Sequence, residues 1–168
     1  MPEWTALSTV IRDAVSAFAL QCAERHAAQD PARIVFVYDE GSGMLFPLSV
    51  GVLPRAVEKR YRAGRRSDSD FQLLWNPEEF PHYATPELQL CLDADVCEAV
   101  QVHLVSGGGR FSQVRVAINT GCREANRLLA GRDCFAFATD PELVDLRRNV
   151  TAIGNIPALT AAEMPDWF

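Results

Sequence analysis

The strongest constraint on this chain is a pair of apolar runs separated by a turn. Ile34 to Tyr38 is β-branched and aromatic, Asp39-Glu40-Gly41-Ser42-Gly43 follows, and a second apolar run extends from Met44 to Leu53. Strand-forming residues on both sides of a Gly-rich turn predict a β-hairpin. Because nearly every side chain in both arms is apolar, both faces need cover. The hairpin therefore belongs in the middle of a sheet, with helices packed against it.

The rest of the sequence supplies such helices. Trp4, Leu7, Ile11, Val15, Phe18 and Cys22 recur in steps of three and four, which predicts a long helix from Glu3 to Ala28, ended by Asp30-Pro31. Phe111, Val114, Ile118, Cys122, Ala125 and Leu129 form a second stripe, closed by Gly131. Leu88 to Val105 also has helical spacing, with Asp93-Ala94-Asp95 as a splitting point. Pro54 suits the first residue of a short helix. Phe71 to Trp75 reads as a third strand. Asn76-Pro77-Glu78-Glu79 and Thr85-Pro86-Glu87 are helix starts, whose acids favour the positive end of the helix dipole. Cys134 to Thr139 reads as a strand inside the sheet beside the hairpin, with Asp140-Pro141 after it. The expected architecture is a single α+β domain over residues 1–168, with a central, mostly antiparallel sheet packed by amphipathic helices.

At 168 residues and 48% hydrophobic content, such a domain buries roughly 70% of its unfolded surface without staples. No apolar stretch reaches the ~20 residues of a membrane span, and Met1-Pro2-Glu3-Trp4 lacks a basic start. The expectation is a soluble, untargeted, cytoplasmic protein. Cys22, Cys91, Cys97, Cys122 and Cys134 form an odd set without a Cys-x-x-Cys pair, which suits reduced, buried thiols. A metal site built from Cys91, Cys97 and His103 is disfavoured, because six residues turn a helix by about 600° and point the two thiols apart. No cofactor fingerprint is present: Ser106-Gly107-Gly108-Gly109 lacks phosphate-loop spacing and reads as the end of a helix. Asn149-Val150-Thr151 matches a glycosylation acceptor, which carries no meaning without a secretion signal.

Charge is segregated in one place. Arg55, Lys59, Arg60, Arg62, Arg65 and Arg66 are opposed only by Glu58, a local net charge of +5, which leaves the remainder of the chain at −11 against a total of −6. One account is a solvated helix and loop answered by Asp68 and Asp70. The other is a docking surface for an acidic protein partner, with Trp75, Phe80 and Tyr83 as aromatic anchors. Nucleic acid is the weaker partner for an acidic chain. An enzymatic alternative draws on Asp39, Glu40, Glu78, Glu79, Asp140 and His82. Asp39 and Asp140 each follow a predicted strand, so parallel neighbours would bring them together and antiparallel neighbours would separate them. His26, at the edge of the first stripe, reads as a boundary residue.

Tyr38-Asp39, Trp75-Asn76-Pro77-Glu78-Glu79-Phe80 and Gly154-Asn155-Ile156-Pro157 together resemble a family of small bacterial proteins known only as a domain of unknown function. Its members carry an early Tyr-x-Asp, a Trp-Ser-Pro-x-Glu-Trp type motif and a late Leu-Asn-Pro type motif. The resemblance spans most of the chain. Phe80 replaces the second Trp, and Ile156 interrupts Asn-Pro. Families of this kind are similar to immunity proteins that neutralise bacterial polymorphic toxins, so the resemblance implies a non-enzymatic binding protein whose partner is a toxin.

Overall fold

The computed structural model describes residues 3–41, 45–64, 72–105, 108–154 and 156. Helix α1 spans Trp4–Arg25, and strands β1 (Pro31–Val37) and β2 (Leu48–Pro54) form the hairpin. Short helices α2 (Arg55–Ala63) and α3 (Gln72–Trp75) follow, then the two-residue strands β3 (His82–Tyr83) and β4 (Gln89–Leu90). Helices α4 (Ala94–Val105) and α5 (Phe111–Leu129), strand β5 (Phe135–Thr139) and helix α6 (Leu146–Ile153) complete the described order. This is the expected α+β domain. No helix among the described residues is long and apolar enough to cross a membrane.

The hairpin is central, as its two apolar faces require. β1 pairs antiparallel with β2, placing Ile34 opposite Val52 and Phe36 opposite Val50. β3 and β4 add antiparallel to β2, and β5 runs parallel to β1 on the other side. All of β1 is buried, as is β2 apart from Ser49. The α1 stripe buries Leu7, Ile11, Val15 and Cys22, and the α5 stripe buries Val114, Ile118, Cys122, Ala125 and Leu129. α1 lies close enough on α5 that a Cβ at Gly121 would sit 2.6 Å from the Arg12 carbonyl.

Four local expectations need correction. Leu73, Leu74 and Trp75 lie in a helical turn, not a third strand, and Phe71 lies outside the described residues. The Leu74 carbonyl accepts a hydrogen bond from Arg33 Nη1 at 2.8 Å, and this demand from the core overrides local strand preference. β5 sits at the end of the strand order, not inside it. Leu88 and Leu90 belong to a 3₁₀ turn and to β4, so the helix starts only at Ala94. Pro54 closes β2 and caps α2, whose first residue is Arg55.

Other local signals hold. Asn76 Oδ1 accepts the Glu78 N–H at 3.1 Å, capping a 3₁₀ turn over Pro77–Glu79. Gly108 has φ +69°, and the Gly109 N–H returns to the His103 carbonyl, closing α4 as a helix-ending glycine does.

Candidate interaction surface

Helix α2 carries most of the basic segment, and its first task is structural. Arg55 ties three parts of the chain together. Its Nε donates to Asp30 Oδ2 at 2.9 Å, and its Nη1 donates to Asp133 Oδ2 at 2.9 Å. Its Nη2 donates to the Asp133 carbonyl at 2.6 Å. One turn on, Glu58 is only 8% exposed, and its Oε1 accepts from Arg33 Nε at 3.0 Å and Nη2 at 2.9 Å. Arg62 Nη2 reaches the same oxygen at 3.2 Å. Tyr61 Oη donates to the Glu79 carbonyl at 2.9 Å. α2 is thus fastened to the sheet along its inner side.

Arg33 is the buried partner that makes this possible. It is fully buried on β1, with its guanidinium carbon 4.5 Å from the centre of the Trp75 ring and 5.2 Å from that of Phe135. A buried guanidinium requires a counter-charge and filled donors. Glu58, the Leu74 carbonyl and two aromatic faces supply them. Sequence reasoning passed over Arg33, although an arginine within an otherwise apolar, doubly covered strand is itself a signal that a carboxylate must come to meet it.

The basic cluster therefore divides. Arg55 and Arg62 are engaged by internal acids. Lys59 and Arg60 are exposed on the outer side of α2, and Arg65 and Arg66 lie outside the described residues. Trp75 is fully buried and packs edge-on against Phe137, so it is core and not an anchor offered to a partner. Phe80 is likewise buried, against the position of Gly51. Tyr83 is half-buried on β3, opposite Gly51.

The carboxylates of the enzymatic alternative are dispersed. Because β5 is parallel to β1, Asp39 and Asp140 do emerge at the same end of the sheet, where the Tyr38 N–H donates to the Thr139 carbonyl. Their side chains then part. Asp140 Oδ1 accepts the Asp145 N–H at 2.7 Å, and Asp39 Oδ1 accepts the Gly41 N–H at 2.8 Å. Asp39 and Glu40 border an open cavity of about 280 Å³ with Leu45, Gln101, Leu104 and Phe111; Asp140 does not line it. Glu78 and Glu79 are exposed on their 3₁₀ turn. His82 pairs with Val52, itself opposite Ile34 in the middle of β1, five residues before Asp39 along the chain.

Between the two strand-end carboxylates lies a closed polar knot. Tyr38 Oη donates to Asp145 Oδ2 at 3.0 Å, and Asn149 Nδ2 donates to Tyr38 Oη at 2.7 Å. Arg115 Nη1 and Arg148 Nη1 pair with the two oxygens of Asp145 at 2.8 Å and 3.0 Å. Burial pushes the Tyr38 phenol upward, which keeps it a neutral donor. Asn149 is fully buried, so the acceptor motif at Asn149-Val150-Thr151 offers no accessible amide.

The thiols follow burial. Cys22 and Cys134 are pushed up to about 12 by desolvation and stay protonated. Cys91 is exposed and Cys97 half-buried, contrary to a uniformly buried set. Among the described residues, no group of three or more His, Cys, Asp or Glu side chains is placed to hold a metal ion.

His26 and His82 meet with ring centres 5.0 Å apart. Burial, then the His26 charge, lowers the His82 pKa, and Glu87 partly opposes them. A histidine titrating lower in the fold than in the unfolded chain stabilises the fold fully only above its unfolded value of about 6.5. Stability is expected to fall as pH drops below that value through the lowered native pKa. Denaturant titrations across this window should show a smaller acid loss for His82→Gln than for the native chain. Matching profiles would exclude the pair as the cause.

No family model, curated protein or solved structure matches this chain.

Proposed function

We propose that this chain is a non-enzymatic protein-binding module of a bacterial cytoplasm, and that it holds an acidic partner against the outer face of α2 in the manner of an immunity protein bound to its toxin. The carrying observation is the pairing of fixed and free charge on one helix. Arg55 and Glu58 lock α2 in place, while Lys59 and Arg60 project from it into solvent. A rigid cationic face on a chain of net charge −6 speeds encounter with acidic surfaces and selects among them. Further support comes from the resemblance of Trp75 to Phe80 and of Tyr38-Asp39 to the immunity-like family. Arg65 and Arg66 extend the same basic run in sequence.

The test pairs the native chain with the Lys59→Glu, Arg60→Glu double variant. Each is co-expressed with the toxin-like product of an adjacent gene, and growth rescue and complex recovery are measured. Charge reversal at both positions is expected to weaken the complex by about tenfold or more, with the loss greatest at low salt. Equal rescue and recovery would remove α2 from the interface. Salt-sensitive binding of the native chain to DNA or RNA in place of protein would redirect the same face to nucleic acid.

A small enzyme is the second reading, favoured by the arrival of Asp39 and Asp140 at one end of the parallel strand pair. Separate hydrogen-bonding of the two carboxylates argues against their acting as a pair.

A further inference from the structure

The chain holds three histidines, His26, His82 and His103. His103 is engaged by its neighbours: it stacks on Trp4 with the planes 11° apart, and its Nε2 meets Gln113 Oε1 at 3.1 Å. The other two are distant in sequence, yet their ring centres lie 5.0 Å apart with the planes tilted by 44°. Secondary structure holds both in place. His26 ends α1, its N–H donating to the Cys22 carbonyl, and His82 is fixed on β3 opposite Val52. Both are half-buried, so solvent reaches them.

This spacing is that of two ligands on one ion. A metal lies in the plane of each imidazole that binds it, and two parallel planes share no point, so converging rings must be tilted. With the ion about 2.0–2.1 Å from nitrogen, each ring centre lies about 3.2 Å from it, and two such centres are about 4.5 Å apart at a right angle and about 5.2 Å apart at a tetrahedral one. The observed 5.0 Å falls between these values. The protons fit as well. His26 Nδ1 lies 3.2 Å from Gln29 Oε1, and an amide oxygen only accepts, so the ring proton sits on Nδ1 and leaves the Nε2 lone pair for a ligand. Burial, then the His26 charge, lowers the His82 pKa, which keeps that ring neutral and able to coordinate. Glu87, exposed on the 3₁₀ turn that follows β3, brings negative charge toward the pair. Two histidines are the whole protein contribution, since among the described residues no third His, Cys, Asp or Glu joins them.

We propose that His26 and His82 form a two-histidine site for a divalent transition-metal ion of the zinc class, with water filling its remaining positions. This stands independently of the α2 reading. Zn(II) titrated into the native chain at neutral pH should shift the ring-nitrogen resonances of His26 and His82 together, saturate at one ion per chain, and leave His103 unmoved. Mg(II), which takes oxygen ligands, should shift none of them. By calorimetry, His26→Gln and His82→Gln should each weaken Zn(II) binding by about tenfold or more, at least the loss expected when an outer partner of a metal-bound histidine is removed. Cys91→Ser, which removes an exposed thiol, should leave binding as it is. Zn(II) that shifts neither ring, or only one of the two, overturns the proposal, as does binding that survives both histidine substitutions or is lost with Cys91→Ser. Should a histidine variant not fold, the ring resonances of the native chain decide.

Discussion

Glu58→Ala is expected to destabilise the fold by about 3–5 kcal/mol, the range for removing one member of a buried ion pair. The substitution touches a short, largely solvent-facing helix, where an alanine is normally harmless. Here it removes the carboxylate that accepts from both Nε and Nη2 of the fully buried Arg33. Neither the Trp75 nor the Phe135 ring replaces a carboxylate at these distances. Denaturant unfolding should show the midpoint fall with an unchanged slope. The paired replacement Arg33→Met, Glu58→Leu is expected to restore most of that loss, because buried ion pairs do little better than apolar side chains of similar volume. A Glu58→Ala loss below about 1 kcal/mol would show the pair to behave as a solvated surface bridge.

Gly121→Val is expected to cost about 3 kcal/mol, the upper part of the range for overpacking a close contact. A Cβ at this position would lie 2.6 Å from the Arg12 carbonyl and 2.7 Å from Val15 Cβ. The first of these is backbone inside α1 and cannot rotate away, so α1 and α5 would have to separate along a shared apolar seam. Gly121→Ala should also destabilise, although alanine gains roughly 1 kcal/mol over glycine in a helix interior. Gly131 supplies the control, since a Cβ there meets nothing within 4 Å. Thermal unfolding of Gly121→Ala and Gly131→Ala against the native chain checks the contrast. A Gly121→Ala variant as stable as Gly131→Ala would mean that the two helices are not in contact at that point.

The binding proposal and the stability predictions meet on α2. Arg55 and Glu58 fix the helix, so loss of binding on changing them would report loss of the platform. Lys59 and Arg60 have no such duty among the described residues. Their reversal isolates the charge of the surface from its support.

Much of the architecture could be read along the chain because it rests on local repetition. Continuous apolar, strand-forming runs and the 3.6-residue helical period are written into neighbouring positions, and this is why the hairpin, α1 and α5 emerge close to their true bounds. Caps such as Asn76 are equally local. Leu73 to Trp75 were misread because their strand preference is weak beside the pull of Arg33, which lies some forty residues earlier. The direction of β5 relative to β1 was open for a similar reason. Two short apolar strands separated by several helices pair equally well either way until the connections between them are known, and with direction goes the end of the sheet at which Asp39 and Asp140 emerge.

Composition and periodicity settled that the chain makes a covered sheet with two long helices upon it, since hydrophobic burial depends on which residues recur and at what interval. The division of the basic segment into clamps and free charges, the burial of Arg33 and Trp75, and the meeting of His26 with His82 came only from the folded arrangement. Each depends on a partner distant in sequence, and a charge or imidazole acquires its role from the groups that surround it after the chain has packed.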